Sequence, residues 1–134
     1  MKNKKRIYRW RCYGHPTGRQ EPRAGRHGWY TPPKTKKYYE HIRNSFQQLY
    51  PRLNDRTHKW KVRLDIYVIV ETRKGKEKQY PDNSNVAKGF EDALQGCIWH
   101  NDKQIWDGPY PKRHSVKSKK EECVEIYAEQ LGER

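Results

Sequence analysis

Residues 60–71 alternate with a period of two. Val62, Leu64, Ile66, Val68 and Val70 point one way, while Arg63, Asp65, Tyr67 and Ile69 point the other. Such alternation predicts a strand with one face on a core. Residues 7–13 repeat it, with Tyr8, Trp10 and Cys12 against Arg9 and Arg11, and residues 123–131 set Val124, Ile126 and Ala128 on an apolar side. Two other segments follow the helical period. In residues 34–49, Tyr38, Ile42, Phe46 and Leu49 fall at i, i+4, i+8 and i+11. In residues 84–95, Val86, Ala87, Phe90, Ala93 and Leu94 share one broad face, and Asn85, Lys88 and Asp92 gather opposite. Asp82 or Ser84 can cap this second helix, and Gly96 is placed to stop it.

Between these elements the chain reads as loop. Residues 14–28 are rich in Gly, Pro and Arg, residues 73–78 form a charged turn, and Gly108, Pro109 and Pro111 open a basic stretch that runs to Lys120. A turn at Asn101 and Asp102 leads into a short strand around 103–106. The order strand, helix, strand, helix, strand, strand predicts an α+β fold: a mixed sheet with helices packed on one face. At 134 residues with no domain-sized linker, residues 1–134 are expected to form one domain, with residues 1–6 as a disordered basic tail.

Composition changes the picture in one respect. The net charge is +14, and residues 1–37 hold 12 Lys/Arg against Glu21 alone. A polyanion is the natural partner of such a field. Tyr8, Trp10, Tyr13, Trp29 and Tyr30 interleave with those cations, a pattern suited to stacking on bases or sugars. Hydrophobic residues make up only 32%, but five Trp, ten Tyr and two Phe supply enough bulky area for a core, which argues against disorder. Cys12, Cys97 and Cys123 form no CxxC pair, so buried thiols in a reducing compartment are expected. No apolar run reads as a membrane span or a signal-peptide core, so a cytoplasmic protein without a membrane partner is expected.

Against this basic background, residues 80–105 concentrate Asp82, Glu91, Asp92 and Asp102, with Lys88 among them. Carboxylates repel a phosphate backbone unless a cation lies between. Hard oxygen ligands suit Mg²⁺, and Mg²⁺ suits phosphodiester hydrolysis. The same residues admit a structural reading. Asp82 can be only a cap, Lys88 and Asp92 a surface i,i+4 pair, and Asp102 a turn former. Spacing alone leaves both open. His100, beside the acidic turn, is more simply incidental.

The order Asp82-Asn-Ser-Asn-Val-Ala-Lys88, then Asp92-Ala-Leu94, then Trp99-His-Asn-Asp-Lys-Gln104, resembles the RusA family of Holliday-junction resolvases. That family shows P-D-x-D-N-x-x-K, then D-A-L, then a D-D-x-Q turn. Residues 14–23 resemble its G-x-P-x-x-x-x-R-P-R loop, and residues 30–38 its Y-x-P-x-x-T-x-x-Y segment before the first helix. The resemblance implies a homodimeric, Mg²⁺-dependent endonuclease that nicks four-way DNA symmetrically. By motif position it makes Asp82, Lys88 and Asp102 catalytic. It implies Asp82, Asp92 and Asp102 as metal ligands, with Ser84 assisting. Ser84 and Asn101 stand where the family has acids, and each lost carboxylate weakens the hold on Mg²⁺, leaving Mn²⁺ as a second candidate ion.

The leading expectation is therefore a metal-dependent endonuclease acting on four-way or branched DNA in a bacterial or phage-infected cell. Arg19, Arg23, Arg26, Lys34 and Lys36 would contact DNA phosphates. A rival is a junction-binding protein that no longer cuts, favoured by Ser84 and Asn101. A third reading, a basic RNA-binding module, fits the charge but gives no reason for acids at 82, 92 and 102.

Overall fold

The structure is a computed structural model, and it describes residues 6–17, 23–30, 32–69, 72–73, 76–77 and 82–133. Four strands form the main sheet: β1 (Ile7–Tyr13), β4 (His58–Ile69), β7 (Ile105–Val116) and β8 (Cys123–Glu133), in the order β1-β8-β4-β7. The sheet is mixed. β8 runs antiparallel to β1 and β4, whereas β7 runs parallel to β4. Two short ribbons, β2 (Arg23–Gly25) with β3 (Gly28–Tyr30) and β5 (Thr72–Arg73) with β6 (Lys76–Glu77), lie outside it.

The helices α1 (Pro33–Gln47) and α2 (Asn83–Leu94) cover one face. The alternation dictates which face. Trp10 and Cys12 of β1, Val62, Leu64, Ile66 and Val68 of β4, and Val124, Ile126 and Ala128 of β8 are all buried. They pack with Ile42 and Phe46 of α1 and with Val86, Ala87, Phe90, Ala93 and Leu94 of α2 in one core. Burying this apolar stripe is the main reason each helix is stable. The expected α+β fold with helices on one face is present. All three cysteines are free and buried, and burial pushes the Cys12 thiol up to about 11. Among the described residues no helix is long and apolar enough to cross a membrane.

Some local expectations need correction. Leu49 lies beyond the end of α1 and is exposed, because the helix stops at Gln47. The loop assigned to residues 14–28 contains β2 and the start of β3, and the charged turn at 73–78 contains residues of β5 and β6. Val70 lies outside the described residues. The largest departure is β7: the stretch from Gly108, read as a loop, continues a strand of 12 residues. β7 is an edge strand, where Pro109 and Pro111 are tolerated because one side of the strand needs no donor. Its register with β4 shifts between Lys61 and Arg63. Gly108 sits there at φ 113°, and a Cβ at that position would run into the Val62 carbonyl oxygen. A glycine is needed for this close approach.

Among the described residues no helix packs on the opposite face of the sheet, and its register sets charge against charge. Arg9 and Arg11 both reach the Glu125 carboxylate, at 2.8 and 3.2 Å. His114 Nε2 lies 2.7 Å from Asp65 Oδ1. Arg63 lies 4.4 Å over the Tyr127 ring, and Tyr67 stacks on His114. Arg9 and Arg11 thus share one carboxylate on this face.

Candidate active site

α2 begins on Asp82, in extended conformation at φ −67° and ψ 156°, whose carboxylate accepts from the Asn85 amide at 2.7 Å. That is an N-cap bond, and it fixes where the helix starts. The next residue, Asn83, has a buried Oδ1 with no hydrogen-bond partner among the described residues. Ser84 and Lys88 follow, both exposed, one turn apart. Asp92 is half-buried and accepts from the Tyr39 hydroxyl at 3.2 Å, across the contact between α2 and α1. Since Val86, Ala87, Gly89, Phe90, Ala93 and Leu94 take the core side, the polar motif residues are left along the outer side of α2.

α2 ends where Gly96 adopts φ 84°, and the chain folds back so that the Ile98 amide meets the Leu94 carbonyl at 3.0 Å. Residues 97–99 then run beside the segment leading into β4. The amides of Leu53 and Asn54 donate to the Cys97 carbonyl, and the His100 amide donates to the Asp55 carbonyl at 2.8 Å. A single 3₁₀ turn, Asp102–Gln104, precedes β7. Asn101 caps it, its Oδ1 accepting from the Lys103 amide at 2.9 Å. Asp102 is exposed on this turn.

Two residues that sequence reasoning passed over hold the turn in place. Gln104 is almost completely buried. Its Nε2 donates to the Asp55 and His58 carbonyls at 2.8 and 3.1 Å, and its Oε1 accepts from the His100 and Asn101 amides at 3.0 and 2.9 Å. The Asp55 carboxylate accepts from the Trp60 indole at 2.8 Å and from the Thr57 and His58 amides. Burial alone would raise its pKa, but bonds from His58, Trp60 and Thr57 outweigh that and hold the carboxyl below its ordinary range. Gln104 stands in the D-D-x-Q pattern, so a signal existed; the acids of that pattern drew the attention. Asp55 had no signal beyond a turn former.

The structure does not gather the candidate acids of one chain around one point. β4 and β7 are parallel, with Trp60 opposite Ile105 and Ile69 opposite Val116. The chain leaves the far end of β4 and returns along α2 to the start of β7. Asp82 therefore stands at one end of α2, and Asp102 lies beyond the other. Twelve helical residues span about 18 Å. Oxygens sharing one Mg²⁺ lie within about 4 Å of each other, and paired ions stand about 4 Å apart. Among the described residues no group of three His, Cys, Asp or Glu is placed to hold a metal. By chemistry the donors fit: Asp82, Ser84, Asp92 and Asp102 offer hard oxygens, and Asn83 Oδ1 is an acceptor still lacking a partner.

The predicted DNA-contact residues divide. Lys34 and Lys36 are exposed in the first two turns of α1, and Arg26 is exposed between β2 and β3. Arg23 lies in β2, and Arg19 falls outside the described residues. The start of α1 has Pro32 as its cap, no side-chain cap bond and no acid in its first turn. Lysines there oppose the positive end of the helix dipole, at a cost to stability of about 0.3–1 kcal/mol each. Lysines at a helix N-terminus make a favourable place for an anion.

A family described as endodeoxyribonuclease RusA matches residues 13–126, most of the chain. No curated protein matches it.

Proposed function

Because the chain belongs to the RusA endodeoxyribonuclease family, we propose that it cuts four-way or branched DNA by paired symmetric nicks, as a homodimer dependent on a divalent cation. The observation that carries this reading is the division of α2. Its apolar residues all face the core, while Ser84, Lys88 and Asp92 line its outer side behind the capping Asp82. A polar outer side is common to surface helices; what supports the reading is that the residues lining it are those of the family motif, in the order Asp82, Lys88, Asp92.

Asp82, Asp92 and Asp102 would supply hard oxygens to the cation, Mg²⁺ or Mn²⁺, with Ser84 assisting through its hydroxyl, although one chain does not gather them at one point among its described residues. When bound, the cation supplies Lewis acidity toward phosphoryl oxygens. Lys88, exposed on α2, stabilises negative charge that develops on the phosphate or the leaving oxygen. Arg26, Lys34 and Lys36, with Arg19 and Arg23 from the same segment, bind phosphates and orient the DNA without reading its sequence.

A second reading is a protein that binds junctions without cutting them, with Ser84 as its main support. Asn101 supports it less. Its Oδ1 caps the 3₁₀ turn, a role that either an amide or a carboxylate fills, so the residue has a structural use beside any role at the cation.

The test is cleavage of a labelled synthetic four-way junction by wild type and by Asp82→Asn, across a range of Mg²⁺ or Mn²⁺, with a linear duplex as control. Asn caps a helix about as well as Asp, so this variant removes charge and keeps the helix start. Paired nicks that vanish in the variant support the nuclease. Tight junction binding with no cutting in either metal leaves the second reading.

A further inference from the structure

We propose that the sheet face turned away from the helices binds single-stranded DNA, taking phosphate at Arg9 and Arg11 and stacking bases on Arg63 and Tyr110. Among the described residues no helix packs on that face. The register of the sheet lays Arg9, Tyr127, Arg63 and Tyr110 in one row: Arg9 pairs with Tyr127, Tyr127 with Arg63, and Arg63 with Tyr110. Guanidinium and phenol ring alternate along this row across all four strands. Neighbouring strands lie about 4.8 Å apart, so the row spans about 14 Å. A solvated sheet face is often charged. What distinguishes this one is a row of flat groups, and both kinds stack on unpaired bases.

The two ends of the row offer different chemistry. At β1, Arg9 Nε and Nη2 donate to Glu125 Oε1 at 2.9 and 2.8 Å, and Arg11 Nε donates to Glu125 Oε2 at 3.2 Å. The carboxylate holds both guanidiniums in place, yet both side chains stay more than half exposed. Two positive charges against one negative leave one in excess, and a guanidinium has N–H donors to spare for a phosphate. In the middle, Arg63 is exposed and has no carboxylate partner among the described residues. Its guanidinium lies 4.4 Å over the Tyr127 ring, so a base on its outer side extends an existing stack. At β7, Tyr110 is 55% exposed, enough to present its ring to a second base. Two acids near the row already have partners: Asp65 meets His114 at 2.7 Å and Asp107 meets Lys61 at 3.9 Å. Of the β1 aromatics expected to stack on bases, Trp10 is buried and Tyr8 packs against the core, so Arg63 and Tyr110 take that role instead. The choice of DNA rests on the family match. The row lies across the sheet from α2 and does not depend on the metal site.

The experiment measures binding of fluorescent oligothymidylate to the full chain by anisotropy, beside an abasic strand of equal length and a four-way junction. Arg63→Ala and Tyr110→Ala are each expected to weaken oligothymidylate binding about tenfold. The abasic strand should bind wild type weakly and respond to neither change, and junction affinity should stay as in wild type. Arg9→Gln with Arg11→Gln should lower the slope of log K against log salt by about 1.4, roughly 0.7 for each lost phosphate contact. A second measurement uses wild type alone. A strand carrying iodouracil, irradiated while bound, is expected to cross-link at Tyr110, located by mass spectrometry of the digest. Unchanged oligothymidylate binding in both alanine variants, or a cross-link confined to other segments, overturns the inference. So does tighter binding of oligouridylate, which assigns the face to RNA. A wild-type dimer that dissociates in Tyr110→Ala also overturns it, by assigning the face to a second copy of the chain. Oligothymidylate binding that is lost in the variants, with no junction cutting by wild type, would sink the nuclease reading and leave the single-strand face standing.

Discussion

Gln104 Nε2 donates to the Asp55 carbonyl at 2.8 Å, tying the turn that carries Asp102 to the segment leading into β4. Every polar atom of this buried amide is used, with two carbonyls on its nitrogen and two amides on its oxygen. Gln104→Ala is expected to destabilise the fold by about 1–3 kcal/mol for each buried group left unpaired. Gln104→Glu should be no better, since it sets an acceptor against two carbonyl oxygens. Urea denaturation of both variants checks this. A glutamate variant as stable as wild type would show that the bonds contribute little.

Ser84→Asp should gain on two counts. Ser84 is exposed in the first turn of α2, which holds no acid. A carboxylate there favours the helix dipole by about 0.3–1 kcal/mol, and it adds a ligand charge for the cation. A higher melting temperature and cutting at lower Mg²⁺ are expected together. A rise in stability with no change in metal requirement would remove position 84 from the site.

The Asp55 carboxyl lies below its ordinary range in the folded chain. A depressed carboxylate contributes stability above its unfolded pKa, about 3.9, and loses it as pH falls through the lower folded value. Wild type should therefore weaken as pH drops below about 4. Asp55→Asn should show a shallower loss over that window and a lower stability at neutral pH. Urea midpoints between pH 2.5 and 6, in steps of roughly half a unit, follow this directly. Equal acid slopes would show that other carboxylates set the limit.

Lys34→Gln with Lys36→Gln should separate stability from binding. Removing lysines from the positive end of α1 should raise the melting temperature slightly. The same change should weaken junction binding and reduce the slope of log K against log salt by roughly two, one for each lost phosphate contact. An unchanged salt slope would place the DNA away from α1.

Tyr39→Phe removes the hydroxyl that meets Asp92 across the helices. A loss of about 0.5–1.5 kcal/mol is expected. If Asp92 needs that bond to hold its orientation, the metal requirement for cutting also rises. A stability loss alone would make the bond purely structural.

The sequence by itself determined the elements whose signal is local. Alternation marked β1, β4 and β8 because side-chain direction in a strand depends only on the parity of the residue. The 3.6 period marked α1 and α2, and Asp82 was legible as a cap because capping involves the next three residues. The order of the motif was also legible, and with it the family. β7 was not, because Gly108, Pro109 and Pro111 read as loop, and only its place at the sheet edge makes them acceptable in a strand. The role of Gln104 was hidden for a similar reason: its partners at Asp55 and His58 lie more than forty residues away. The separation of Asp82 from Asp102 was decided by tertiary structure alone. Twenty residues of sequence place no limit on how close two side chains come. The parallel pairing of β4 with β7 does, because it stretches α2 between them.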